Sequence, residues 1–212
     1  MRANLGFPLS IEYIRSAPVD DLLNALKAWL VRENPNCLMH PHGFFVVPLD
    51  RTESEDWRFH LWPEGPRIVA GMPAFIHTHD RHVESRILQG ELTNVDYQVA
   101  AVAKEGRPLY NVGYGGDRYT RSTSNFLYKT ATRVAAEIQN RKTLGKGECY
   151  RVERHAYHEA IASERLTTAT LVWMHSRLPG PVHVVGCDGY PVKIEFQRVE
   201  HRAQEFAGHI VT

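Results

Sequence analysis

Two histidines and a carboxylate lie close together near the middle of the chain. His77 and His79 are separated by one residue, and Glu84 follows five residues after His79. Side chains two residues apart on a β-strand point to the same face, so both imidazoles can reach one ion. Neutral imidazole and carboxylate groups suit divalent iron, zinc, manganese, nickel and copper. The spacing therefore predicts a metal site, with Glu84 as a fourth ligand once the chain has turned.

This ligand set needs a third histidine from another part of the chain. The segment HAYHEA contains His155 and His158. The two are an odd number of residues apart, so on a strand they point to opposite faces and only one of them can face the ion. The spacing alone leaves both open.

Polar side chains on two predicted strands are candidates for contact with a substrate. Arg58 and His60 share one face of the segment WRFHLW. His175 shares a face of TATLVWMHS with three apolar residues. If these faces line the cavity, Arg58, His60 and His175 meet the polar end of the substrate.

A second pair of histidines with the same spacing lies in the segment MHPHGF. The proline between His40 and His42 indicates a loop, and no carboxylate follows at a useful spacing. We therefore expect this pair to play no part in metal binding.

The elements around the predicted site begin with a helix over residues 16–33. Ser16 is a candidate cap, Pro18 lies in the first turn, and apolar residues recur at helical spacing through VDDLLNALKAWLVRE. Asn34 and the two residues after it are typical of a helix end. Such an amphipathic helix is expected to pack on the outside of the domain.

From residue 43 onward the chain is predicted to form strands. Short apolar or alternating segments separated by turns indicate a sandwich or barrel rather than a sheet with crossover helices. The stretch 104–147 interrupts this pattern. Its first half, rich in Gly, Tyr and Arg, predicts a flexible loop, and its second half, SNFLYKTATRVAAEIQNRK, has the apolar spacing of a helix. We expect a loop-plus-helix insertion that acts as a lid or contacts a partner.

The overall composition excludes several classes of partner. The 212 residues suit one domain over 1–212, and 43% of them are apolar, enough for one core. A formal net charge of +1 gives no basic field for nucleic acid. The three cysteines form no disulfide framework, and we find neither a signal-peptide pattern nor an apolar run that could span a bilayer. We expect a cytoplasmic protein that binds neither nucleic acid nor a membrane.

The segment around the histidine pair resembles the first motif of the cupin superfamily. That motif is a glycine, a His-x-His pair, a glutamate and a second glycine, an order followed by Gly71, His77, His79, Glu84 and Gly90. More finely, LWPEG, IHTHD and ILQGELTNVDY, together with HEAIASERLTTATLVWMHS, resemble the thiol dioxygenases, the cysteine dioxygenase-like branch of the superfamily.

This resemblance implies a cupin double-stranded β-helix, a jelly-roll barrel with the N-terminal helix and with the insertion between its two metal motifs. It also implies that His158 joins His77 and His79 as a ligand. A non-haem iron(II) oxygenase acting on O₂ and a small polar substrate is the expected function, and zinc, manganese and nickel suit the same ligands. The alternatives are a non-redox isomerase, cyclase or hydrolase and a non-catalytic ligand-binding cupin. Cupins commonly pair, so the resemblance further implies a homodimer.

Overall fold

The computed structural model describes residues 9–67, 72, 74–116 and 124–211, and this part of the chain folds mainly into β-strands. It contains three helices, α1 (Ile11–Ser16), α2 (Val19–Glu33) and α3 (Gln204–Ala207). Its strands form two sheets in which all neighbouring strands are antiparallel.

The first sheet has seven strands, in the spatial order β13 (Glu200–Arg202), β1 (Asn36–His40), β2 (Phe44–Arg51), β3 (Glu55–Trp62), β10 (Thr168–His175), β4 (His82–Gln89) and β8 (Cys149–Val152). The second sheet follows the order β11 (His183–Val185), β6 (Arg107–Tyr114), β7 (Ser124–Leu144), β5 (Leu92–Val102) and β9 (Tyr157–Ala162), and β12 (Lys193–Gln197) also pairs with β7. Residues of both sheets line one cavity between them. The predicted all-β jelly roll is therefore confirmed.

The alternation of β3 separates the two sides of the first sheet. Trp57, Phe59 and Leu61 are buried in the apolar core that the sheet forms with the helices. Arg58 and His60 line the cavity between the sheets. Because the helices cover one face of this sheet, its other face is left to form a cavity wall.

The predicted N-terminal helix is in fact two helices with a break between them. α1 ends at Ser16, and the ψ angles of Ala17 and Pro18 are 145° and 144°. The proline ring disfavours the helical conformation of the residue before it, which explains the break. α2 ends as predicted, because Asn34 adopts the left-handed conformation with φ 44°. No helix within the described residues has the length and apolar composition needed to cross a membrane.

The predicted loop-plus-helix insertion is wrong, because the described parts of 104–147 form β6 and β7 instead. Residues 117–123 of the predicted loop lie outside the described residues. Leu127 of β7 packs in an apolar cluster with Tyr110, and Val134 packs in another with Ile76. Leu127 and Val134 are seven residues apart, and each is buried in its own cluster. Buried positions at this separation give apolar residues a spacing that resembles that of a helix.

A short segment before β4 closes the second sheet on itself. His77 forms one bridge to His158 of β9 and another to Val184 of β11, the two end strands of that sheet's main path. The amides of His77 and His158 each donate to the other residue's carbonyl oxygen over 3.0 Å. The segment around His77 therefore takes the place of a strand between β9 and β11.

Candidate metal centre

Three histidines from two distant parts of the chain converge in the cavity. One ring nitrogen from each of His77, His79 and His158 lies within 4.8 Å of the other two. The Nε2 atoms of His79 and His158 are 3.0 Å apart. The ring centroid of His77 lies 4.7 Å from the centroid of each of the other rings. These three side chains form the histidine cluster.

The tautomer of His158 is fixed by Asn94 of β5. Nδ1 of His158 lies 3.1 Å from Oδ1 of Asn94, and Nδ2 of Asn94 donates to the Asp96 carboxylate over 2.7 Å. Because the amide oxygen can only accept, Nδ1 of His158 carries the hydrogen and Nε2 presents a lone pair. Partners of this kind commonly orient metal-binding histidines.

The other two members of the cluster are held by backbone groups. Nδ1 of His77 donates to the carbonyl oxygen of Phe75 over 2.8 Å, so its Nε2 atom also presents a lone pair. The carbonyl oxygen of His79 accepts a 2.8 Å hydrogen bond from the amide of His155. His155 therefore supports the segment through its backbone, whereas His158 is the histidine whose ring joins the cluster.

Burial keeps the three rings neutral. Desolvation lowers the pKa of His77 to about 4. Desolvation, followed by the nearby imidazoles, lowers the pKa values of His79 and His158 well below their usual range. Neutral imidazole is the form that binds a metal ion, so protonation does not compete with binding at neutral pH.

One separation within the cluster matches the spacing of two neighbouring ligands around a divalent transition-metal ion. Zinc–nitrogen bonds are about 2.0–2.1 Å long, so two ligand nitrogens at right angles around an ion are about 3.0 Å apart. The separation of Nε2 atoms between His79 and His158 has this value. His77 and His158 already present the lone pairs that coordination requires.

Glu84 does not join the histidine cluster, which corrects the expectation of a fourth ligand. The chain enters β4 so that Val83 lines the cavity, and the next side chain therefore points to the other face of the sheet. There Oε1 of Glu84 lies 3.2 Å from Nε2 of His175 and 3.4 Å from Nη1 of Arg151. The carboxylate is thus paired outside the cavity.

His175 lies on this same outer face, which corrects its expected contact with substrate. Met174 of β10 lines the cavity, so Trp173 and His175 point away from it. The rings of Trp173 and His175 stack with centroids 3.9 Å apart, and the guanidinium of Arg15 lies 4.1 Å from the Trp173 ring centroid. His175 therefore belongs to the packing between β10 and α1.

Arg58 and His60 lie on the cavity side, as the alternation of β3 predicts. Both are buried, and Arg58 forms a salt bridge with the buried Asp56. The Nε2 atom of His60 is buried and has no hydrogen-bond partner among the described residues. An unsatisfied polar atom in a cavity wall is suited to bind a polar group of a ligand.

His40 and His42 also line this cavity, a position that the loop prediction did not foresee. The ring of His42 lies edge-on to that of His77, with centroids 4.6 Å apart. Its backbone amide donates to Nδ1 of His40 over 3.1 Å. Among the described residues, neither ring belongs to a group with metal-binding geometry.

The cavity has two lobes that share a wall of His40, His42, Arg58 and the histidine pair of the metal motif. One lobe, of about 60 Å³, extends to His60 and Trp62. The other, of about 80 Å³, extends to Asn125 and Arg198. No Asp or Glu is among the described residues that line either lobe.

Sequence reasoning missed Asn94, Asn125 and Arg198. Asn94 had a usable signal, because it shares a face of ELTNVDY with Leu92, and a buried asparagine on an apolar face needs a partner. Arg198 and Asn125 carry no such signal, since β12 and β7 bring them together only in the folded chain.

Comparisons with known proteins support no closer assignment. No family model matches the chain, and no curated protein matches it. An RmlC-like cupin from Shewanella frigidimarina is 13% identical with a TM-score of 0.34, over 63% of this chain and 77% of that one. The DMSP lyase DddQ from Ruegeria pomeroyi is 14% identical with a TM-score of 0.36, over 66% and 50% of the two chains. Hydroquinone 1,2-dioxygenase from Sphingomonas is 10% identical with a TM-score of 0.34, over 62% and 65%.

Proposed function

We propose that this chain is a mononuclear metal-dependent cupin that acts as a non-haem iron(II) oxygenase on a small polar substrate. The observation that carries the proposal is the convergence of His77, His79 and His158 in the cavity between the two sheets. Imidazole nitrogens suit iron(II), and ligands from one side leave positions for O₂ and substrate. The resemblance of the sequence to thiol dioxygenases supports the same class of reaction.

The chain's own residues prepare the site for this chemistry. Bound iron(II) would supply the one-electron chemistry that activates O₂. Asn94 and the Phe75 carbonyl orient two of the three rings before any ion binds, which lowers the cost of assembling the site. Apolar side chains, among them Val83, Val172 and Met174, form part of the cavity wall, and such surfaces disfavour water beside a bound substrate.

The substrate's polar end is assigned to the wall that carries Arg58 and His60. Both side chains face the smaller lobe, and both offer polar groups at the end of a largely apolar space. The small volumes of the lobes, about 60 and 80 Å³, favour a substrate of few heavy atoms.

A second candidate function is non-redox catalysis by zinc or a similar ion. The observation that favours it is the position of Glu84 outside the cavity, which leaves a set of three histidines. Catalytic zinc is often held by three protein ligands, including three histidines. In that case the bound ion would act as a Lewis acid for isomerisation, cyclisation or hydrolysis.

Metal analysis of the natively purified protein, followed by oxygen-uptake measurements, separates the two functions. For the oxygenase we expect stoichiometric iron, and uptake of O₂ with a small thiol, catechol or amino acid that requires Fe(II). His79→Ala should lose both bound metal and uptake, because two histidines bind a divalent ion far more weakly. His209→Ala is the matched control, since His209 is exposed.

The outcomes are distinct. Stoichiometric zinc with a colourless sample that takes up no O₂ supports the second candidate and contradicts the first. A wild-type protein that retains no divalent metal contradicts both.

A further inference from the structure

The smaller lobe of the cavity ends at Trp62. Alternate side chains of β3 face this lobe, Arg58 and His60 first and Trp62 last, and Trp62 is also the last residue of the strand. With a rise of about 3.3 Å per residue, the Cα atom of Trp62 lies roughly 13 Å beyond that of Arg58. Pro63 follows, and a proline cannot donate a hydrogen bond to a neighbouring strand. The indole of Trp62 therefore forms an end wall of the space beside the histidine cluster.

A separate pocket lies on the other side of this ring. This outer pocket has a volume of about 170 Å³ and is lined by Trp62, residues 63–67, Met39, Gly43, Ala162 and Ser163. Glu64 and Pro66 in its wall are exposed, so the outer pocket lies at the protein surface. Among the residues that the structure describes, Trp62 is the only one in the linings of both the outer pocket and the smaller lobe. One indole ring therefore separates the two spaces.

Arg67 shows independently that the two spaces are neighbours. It lines the outer pocket, and its guanidinium donates a hydrogen bond to the carbonyl oxygen of Ala160. The same guanidinium lies 5.0 Å from the ring centroid of Phe75. Ala160 and Phe75 both line the smaller lobe. The partition between the two spaces is thus one side chain thick at Arg67 as well as at Trp62.

Packing holds the indole of Trp62 in this position. The residue is 4% exposed, and its ring centroid lies 4.5 Å from that of Phe44 and 5.6 Å from that of His60. Its Nε1–H group is buried and has no hydrogen-bond partner among the described residues. Buried tryptophans usually find a partner for this group. The indole therefore acts by filling space, which is the property that sets the size of a binding site.

We propose that Trp62 determines the length of the ligand that binds beside the ion, and that a small side chain in its place joins the smaller lobe to the outer pocket. The proposal deepens the proposed function and rests on it, since the ligand is one that binds the metal centre. A long apolar tail meets the indole, which cannot move aside without losing its contacts in the cluster around Phe44. The larger lobe, of about 80 Å³, gives such a tail little more room. Short substrates are accepted and their longer homologues are excluded.

The test uses ethanethiol and pentanethiol, which differ by three methylene groups. Each is titrated, with oxygen excluded, into protein loaded with Co(II), and the absorption of the thiolate–cobalt bond reports binding at the ion. We expect the wild-type protein to bind ethanethiol roughly tenfold more tightly than pentanethiol. Trp62→Ala should raise the affinity for pentanethiol relative to ethanethiol by about 10- to 100-fold, because the longer tail enters the outer pocket and leaves water.

Two further variants keep the test independent of folding. Trp62→Leu removes less volume and should shift the preference in the same direction, so it decides the matter if Trp62→Ala does not fold. Trp57→Leu is the matched control, because Trp57 lies on the same strand and is also 4% exposed, but packs in the core beneath the helices. It should keep the wild-type preference. A purely structural role of Trp62 would give Trp62→Leu and Trp57→Leu the same preference.

Cobalt stoichiometry, measured on each variant, separates the possible failures. Equal affinity of the wild-type protein for the two thiols overturns the proposal while the metal centre stands. Folded Trp62 variants that bind cobalt and keep the wild-type preference also overturn it. Loss of cobalt from both Trp62 variants does so too, because Trp62 would then support the metal site. If the wild-type protein takes up no cobalt, the proposed function fails, and calorimetric titration of the metal-free protein with the two thiols decides the length preference.

Discussion

His158 and Asn94 are joined by a hydrogen bond of 3.1 Å that decides which nitrogen of His158 faces the cavity. Asn94 is 4% exposed, and the Asp96 carboxylate holds its amide in the required orientation. A chain of hydrogen bonds, buried at Asn94 and His158 and partly buried at Asp96, therefore runs from β5 to the histidine cluster. Affinity for metal should depend on a residue that does not touch the ion.

Asn94→Ala is predicted to weaken metal binding about 10- to 100-fold, the usual effect of removing a partner of a metal-binding histidine. Without Oδ1, the ring of His158 is free to take the other tautomer and to rotate. Competition with a chromophoric chelator measures the change. Asn140→Ala is the control, because Asn140 also bonds Asp96 but from the exposed side. Equal affinity of Asn94→Ala and wild type would contradict the assignment.

Glu84→Gln is predicted to retain a full equivalent of metal, because its carboxylate pairs with His175 and Arg151 outside the cavity. Its side chain is 38% exposed, and exposed ion pairs contribute about 0–1 kcal/mol. Urea unfolding should therefore show a loss of less than about 1 kcal/mol. If Glu84→Gln instead loses its bound metal, Glu84 must be a metal ligand after all.

The stability of the metal-free protein is predicted to fall as the pH decreases below 6.5. The pKa of His77 is about 4 in the folded protein against 6.5 for the ordinary group. Between these values the unfolded chain binds a proton that the folded chain does not, so acid favours unfolding, and the stability is fully present above pH 6.5. His77 alone accounts for about 3 kcal/mol at most.

Burial lowers the pKa values of further cavity histidines in the same direction, those of His40, His42, His60, His79 and His158. Their contributions should steepen the pH dependence. Urea unfolding at pH 7, 6 and 5 measures it, and His77→Phe should make the dependence shallower. A free energy of unfolding that is constant over this range would contradict the burial of neutral rings.

Gly90→Ala is predicted to destabilise the protein by about 1–3 kcal/mol. Gly90 has φ +71°, and an added Cβ would lie 2.6 Å from the Thr167 carbonyl oxygen. Gly208→Ala is the matched control, since Gly208 has φ −64° and nothing lies within 4 Å of the added atom. Thermal or urea unfolding compares the two. Similar stabilities of the two variants would show that the turn after β4 accommodates the added Cβ atom without a loss of stability.

Leu30→Ala is predicted to cost about 2–5 kcal/mol of unfolding free energy, because it removes apolar atoms from a packed core. Leu30 is 0% exposed in the core between α2 and the first sheet. The adjacent Val31 is 49% exposed, so Val31→Ala should change stability by about 0.5 kcal/mol or less. Urea unfolding with unchanged m-values checks both. Equal costs would mean that α2 is not anchored by this face.

Strand periodicity predicted a common face for His77 and His79, and the cupin resemblance added His158, but neither predicted the surroundings of the cluster. The two-residue spacing of His77 and His79 fixes a common face whichever way the sheet is turned. For Glu84 on β4 and His175 on β10, the spacing does not show which face of the strand points into the cavity. That is determined by the helices that cover the sheet, and these are distant in sequence. Their packing against Phe59 and Leu171 turns the opposite faces of β3 and β10 toward the cavity.

The strand β7 was predicted as a helix for a related reason. Its hydrogen bonds are made with β5 and β6, and Leu127 and Val134 pack in two separate clusters, so neither the pairing nor the packing is encoded in the local pattern. Pairing between strands is a non-local property that outweighs the helical spacing of Leu127 and Val134. Local sequence therefore predicted the site better than the walls around it.

The position of His77 between two end strands has a consequence for solubility. Unpaired N–H and C=O groups along a strand are templates for association with other chains. As His77 pairs with residues of both β9 and β11, release of this one segment would uncover both strands together. An ion held by His77, His79 and His158 would fasten the segment to β9 through side chains as well as backbone. We therefore expect stripping the metal to promote self-association.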